Sequence, residues 1–162
     1  MALGVGRMAR MQIVVFEIGG NEFGIQADLV HGIIRANKVG IQCVPVAPDD
    51  VEGMMNWREK VRYVFNLSKK LKIDSQALQE ERKIIMVHAN ELIVGCLVDE
   101  VTDILVFNSE EIEDAPLFIQ QGENQYITGI GKIDERFVVM LDVDQLLSGA
   151  VIEGFSAKDI GI

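Results

Sequence analysis

The chain has 162 residues, 49% of them apolar, enough to bury the core of one domain or of two small ones sharing it, and too apolar for disorder. Fifteen Lys and Arg stand against 25 Asp and Glu, a net charge of −10, which argues against gripping nucleic acid or an anionic membrane through a basic face. No run reaches the ~20 apolar residues of a membrane span, and Met1–Arg10 lacks the apolar core of a signal peptide, so the expectation is a cytosolic protein without membrane insertion.

Residues 1–11 read as an extension ahead of the fold. Gln12–Ile18 is predicted as a strand, Gly19-Gly20-Asn21 as a turn rich in residues that accept positive φ, and Glu22–Gln26 as the return strand. Over Ala27–Ile34 the period changes: Leu29, Val30, Ile33 and Ile34 fall at one-, three- and four-residue spacings, which predicts a short helix with Asp28 in its first turn. Val39–Val46 reads as extended, ended by Pro45 and Pro48. Val51–Trp57 and Lys60–Leu67 form a predicted hairpin around Arg58-Glu59, followed by a basic turn or short helix over Ser68–Ile73. Asp74–Arg82 is polar, carries no strand signal and is the candidate mobile loop.

Lys83–His88 and Glu91–Val98 are again strands, joined at Ala89-Asn90, and Glu100–Phe107 continues after a bend at Asp99. Asn108–Asp114 is acidic, with Ser109 placed as a helix cap, and Pro116–Gly122 is irregular. Two apolar runs from Tyr126 then flank the polar turn at Asp134-Glu135-Arg136, with a short helix signal at Asp142; residues 148–162 read as a tail. This strand–turn–strand–helix phrase repeats the one from Val51 to Leu71. Many short strands with close turns predict an all-β fold with minor short helices, a barrel or sandwich.

Residues able to carry chemistry are scattered. His31 and His88 lack convergent partners for a metal, and Cys43 and Cys96 sit in apolar stretches as buried free thiols rather than beside a base. Gly129 and Gly131 fit tight hairpin packing better than a phosphate loop, and Asp134, Glu135, Asp142 and Asp144 do not follow a calcium-loop pattern. The reading is a protein that is not an enzyme and needs no cofactor or metal. Trp57, the sole tryptophan, either packs in the hairpin or serves as an interface hot spot.

Val51-Glu-Gly-Met-Met-Asn-Trp-Arg58 taken with Tyr126-Ile-Thr-Gly-Ile-Gly-Lys-Ile133 resembles the CheW family of chemosensory adaptors. Asn66-Leu67-Ser68, Gly95-Cys-Leu-Val-Asp99, Glu100-Val-Thr-Asp-Ile-Leu105 and Ile112-Glu-Asp-Ala-Pro116 follow in the family's order, so the resemblance runs over residues 12–147. It implies two intertwined, SH3-like five-stranded β-barrel subdomains sharing a hydrophobic seam. It also implies a non-enzymatic role, coupling the cytoplasmic tips of chemoreceptors to the regulatory domain of a CheA-type histidine kinase, in the cytoplasm at the membrane-associated array. Other CheW-like domains are possible further partners. Carried over by position, the receptor-facing groove takes Val30, Ile33, Arg58 and Val98. Departures from the family pattern lie at Gly32, Glu59, Arg62, Tyr63 and Asn66-Leu67-Ser68; Glu59 replaces a glycine, so the turn there is predicted either to differ in geometry or to be strained. These departures motivate an alternative, a self-associating scaffold that does not engage a kinase.

Overall fold

The computed structural model describes residues 10–120 and 125–149. Its strands are β1 (Arg10–Ile18), β2 (Asn21–Gln26), β3 (Val30–Arg35), β4 (Val51–Trp57), β5 (Lys60–Asn66), β6 (Lys83–Ala89), β7 (Leu92–Val98), β8 (Glu100–Asn108), β9 (Ile112–Asp114), β10 (Ile127–Ile133) and β11 (Arg136–Leu141). Helices are short: α1 (Leu67–Leu71), α2 (Leu117–Gln120) and α3 (Val143–Gly149). The strands form two sheets, a six-stranded one ordered β8-β1-β2-β11-β10-β9 and a five-stranded one ordered β3-β6-β7-β5-β4. The expected all-β fold is therefore present, with the sheets fitting two SH3-like lobes.

The two lobes repeat each other. Each contains one parallel contact among antiparallel ones, β2 with β11 in the first and β7 with β5 in the second. Both have a glycine at that contact: a Cβ on Gly24 would press on Ile13, Val138 and Met140, and one on Gly95 on Ile84, Val64 and Met86. The register of β10 against β11 shifts between Ile127 and Gly129, and that of β4 against β5 between Val51 and Gly53. The lobes are interleaved along the chain. The β1–β2 hairpin joins β8 to β11, whereas the β6–β7 hairpin joins β3 to β5, so each hairpin completes the sheet built by the other half of the chain.

Alternation along the strands sorts the core. In β1, Ile13 and Val15 fill the first lobe with Phe107, Val138 and Met140. Their counterparts Ile84 and Met86 in β6 fill the second lobe with Met55, Val64 and Leu97. The opposite faces, Val14, Phe16 and Ile18 from β1 and Ile85, Val87 and Ala89 from β6, meet in one cluster shared by both sheets, closed by Leu146 and Leu147 of α3. Fully burying a side chain of this kind stabilises the fold by about 1.5–3 kcal/mol. The shared cluster is thus the main bond between lobes.

Several expectations change. Ala27–Ile34 is not a helix: a single 3-10 turn, Ala27–Leu29, leads into β3. Val30, Ile33 and Ile34 are β-branched and Gly32 is a weak helix former, while β6 offers a complete ladder, so strand pairing prevails over local periodicity. Val39–Val46 is not a strand; only Gln42 bridges to Met54. Cys43 is exposed there, and only Cys96 is buried, its thiol pushed up to about 12 by desolvation. Asn108, not Ser109, caps the 3-10 turn Ser109–Glu111, with β9 following. The β6–β7 turn falls at Asn90-Glu91, one residue later than expected. Within Pro116–Gly122, α2 forms one turn. β1 begins at Arg10, inside the expected extension, and residues 1–9 and 150–162 lie outside the described ones.

The candidate mobile loop, Asp74–Arg82, is tied down. Ser75 Oγ and the Gln76 N–H donate to the Asp99 carboxylate, which also accepts the Gly19 N–H at 2.9 Å. Burial raises the Asp99 pKa, but the bonds from Ser75, Gln76 and Gly19 and the charge of Arg82 outweigh it and hold the group below its ordinary value.

Candidate docking surface

At the β4–β5 turn, Arg58 and Glu59 both have positive φ, 53° and 66°. That tight turn, of the kind whose twist matches the flanking strands, turns the tip toward β3, the opposite edge of the same sheet. Trp57 lies over Gly32, where a Cβ would stand 3.1 Å from indole Cζ2. Glycine in β3 thereby leaves room for the indole. Arg58 stacks on the Trp57 ring at 4.1 Å from its centroid, and its Nη2 donates to the His31 carbonyl at 3.3 Å. Arg62 approaches the same ring at 5.9 Å. His31 and His88 stand side by side on β3 and β6, ring centroids 6.3 Å apart.

The first lobe has the same construction with different chemistry. Arg136, at the β10–β11 turn, also reaches across to the far edge strand, donating to Asp103 on β8 at 2.7 Å and to Glu22. Asp103 stands where the second lobe has Gly32, as the pairing of β8 on β1 and of β3 on β6 shows. Arg136 is thus neutralised by two carboxylates, and its pKa is pushed further up by them. Arg58 has one long bond to a neutral carbonyl and no ion pair among the described residues. Its charge remains available.

Both lobes also expose an apolar pair at matching places. Ile33 and Val61 are 44% and 43% exposed in the second lobe, and Ile104 and Phe137 are 59% and 61% exposed in the first. Charge separates the lobes further. Among the described residues the first lobe has only Arg10, Lys132 and Arg136 as cations, against acidic runs at Glu110-Glu111, Glu113-Asp114 and Asp134-Glu135. The second carries Arg58, Lys60 and Arg62 on one hairpin and Lys69, Lys70 and Lys72 just after it.

The residues singled out from sequence divide accordingly. Ile33, Arg58 and Trp57 come together at one end of the second lobe. Val30 is half-buried against the shared core; the register shift between Val30 and Gly32 puts it on the same sheet face as Ile33, opposite Val87 and Ile85 of β6, but only Val30 is covered there. Val98 is 1% exposed and pairs with Lys83, which in turn pairs with Arg35, so it lies inside the core toward the other end of the sheet from His31. Val61 and the matching pair Ile104 and Phe137 were not singled out, and His31 was weighed only as a metal ligand. The strand pattern over Val30–Arg35, with His31 and Ile33 both exposed, was the signal that could have placed His31 at the surface. No group of three or more His, Cys, Asp or Glu able to hold a metal occurs among the described residues. None of the described helices is long and apolar enough to cross a membrane.

The CheW-like domain family matches residues 12–151. A chemotaxis protein CheW from Klebsiella aerogenes is 28% identical over 143 residues, covering 88% of this chain and 85% of that protein. One from Bacillus subtilis is 29% identical over 136 residues, covering 84% and 86%. Among solved structures, the scaffolding protein TtCheW from Thermoanaerobacter tengcongensis superposes with a TM-score of 0.78 at 25% identity, covering 86% of this chain and 93% of that one.

Proposed function

This chain belongs to the CheW-like domain family, and from that premise we propose how it works as a chemotaxis adaptor: the Trp57–Arg58 end of the second lobe receives the cytoplasmic tip of a chemoreceptor. The protein is a scaffold, not an enzyme. One observation carries the site assignment. Arg58 is held rigid by stacking on Trp57 and yet has no carboxylate, beside exposed Ile33 and Val61. An amphipathic helical tip would lay its apolar face on Ile33 and Val61 and bring an acidic side chain to Arg58. Trp57 orders the guanidinium in advance, which lowers the entropy lost on binding.

The regulatory domain of a CheA-type histidine kinase would occupy a different face, for which the exposed Ile104 and Phe137 of the first lobe are the apolar candidates. Receptor and kinase can then be held at once, at the membrane-associated array, each by a modest contact that gains strength from repetition. Reversing Arg58 to Glu is expected to weaken capture by receptor cytoplasmic fragments at least ~10-fold, the order expected for one lost rim charge pair plus a repulsion. Calorimetric titration with the kinase regulatory domain should be unchanged. Undiminished receptor capture by the variant would remove Arg58 from the site.

A further inference from the structure

We propose that the cleft at the other end of the β4–β5 hairpin is a second docking site, and that its ligand is an acidic peptide segment of a partner protein. Strands β4 and β5 place the two ends about 20 Å apart, at about 3.3 Å per residue, so the sites do not overlap. This proposal is independent of the receptor assignment.

The cleft has a volume of about 820 Å3 and is bordered by Glu52 of β4, Asn66 at the end of β5, α1 and the segment from there to Arg82. Its cations are Lys69, Lys72 and Arg82; Glu52 and Asp74 also line it. Glu52 is engaged, accepting from Asn66 Nδ2 at 3.0 Å. The cations are held more loosely. Lys69 has only a loose pair with Asp49 at 3.9 Å, Lys72 has no ion pair among the described residues, and Arg82 acts on Asp99 through its charge without a close ion pair. Arg82 Nε–H is buried without an acceptor, an arrangement that native proteins usually resolve with an anion, water or partner. In a chain of net charge −10, three cations without a close ion pair among the described residues, two from α1 and its C-cap and one from the segment ahead of β6, border one hollow.

The lining also says what kind of anion fits. The hydroxyls of the lining are occupied: Ser68 Oγ donates to Asn66 Oδ1 at 2.6 Å, and Ser75 Oγ donates to Asp99, which leaves Gln79 as the neutral side-chain donor. No ring of hydroxyls or backbone N–H groups is left to wrap a single tetrahedral phosphate. What remains is spread-out charge on long side chains in a volume far larger than one phosphate or carboxylate requires. Several carboxylates along an extended segment match that distribution.

The test is a titration of the full-length 15N-labelled chain with acetylated tetraglutamate and, separately, with sodium phosphate, followed by amide shifts. Saturable shifts with the peptide at Ser68, Lys69, Lys72 and Ser75, about tenfold weaker in Lys72→Glu but unchanged in Lys60→Glu at the opposite end of the hairpin, are expected. Both lysines are on the surface, so unchanged Trp57 emission and melting temperature will show that the variants are folded. Equal saturation by phosphate alone would make the cleft a free-anion site and overturn the peptide assignment. Equal weakening by Lys60→Glu, or no localised shift, would likewise overturn it.

Discussion

Arg58 and Glu59 hold the left-handed backbone that glycine adopts freely, and an L-residue there costs about 1–2 kcal/mol. Of the two outcomes expected at Glu59, a different turn or a strained one, its φ of 66° favours strain, since it places a side chain where the turn favours none. Glu59→Gly should therefore raise stability by about 0.5–1 kcal/mol after the added freedom of the unfolded chain is set against it, read as a shift in the urea midpoint. Asn66 explains another departure. Its Oδ1 accepts the N–H groups of Ser68 and Lys69 at 3.0 and 3.2 Å, so it caps α1 as an aspartate would. Such residues are legible in a sequence because their effect is local. The burial of Val98 and the exposure of Cys43 were not, since which face of a segment is covered depends on chain from elsewhere.

Asp99 works between elements. One carboxylate, from the second half of the chain, pins the β1–β2 turn at Gly19 and the connecting segment at Ser75 and Gln76, both in the first half. Because the folded protein holds it below the ordinary value of 3.8, its ionised form favours the fold. That contribution is complete above the unfolded value and is lost as pH falls through the lower, folded one. Asp99→Asn is expected to cost about 2 kcal/mol at neutral pH, from buried bonds weakened or left unmade. The gap between variant and parent should narrow in acid, a pattern that denaturation at a series of pH values will show. Elements were legible in proportion to how locally they are decided. The hairpin Val51–Trp57 and Lys60–Asn66 was placed almost to the residue, because alternation and turn lie together in sequence. β3 was misread, because its short apolar pattern fits either period and β6, a distant segment, decides it.

Over the whole molecule, the repeated strand–turn–strand–helix phrase was visible in sequence, but the exchange of hairpins between lobes was not, since no local pattern tells a hairpin which sheet to join. Residues 1–82 and 83–162 prepared as separate chains should each lack a cooperative unfolding transition, and mixing them should restore one, measured by circular dichroism. Folding of either fragment alone would show that the exchange is dispensable. The same exchange governs how the protein is born. The β1–β2 hairpin leaves the ribosome first, yet β8 and β11, the strands that flank it, are among the last made. At about 5–20 residues per second, Ile13, Val15 and Phe16 wait for seconds with both edges of their hairpin open. A translation stall before Arg136 leaves a nascent chain in which β2 has no β11 to cover its open edge, and such a chain depends on chaperones to remain soluble.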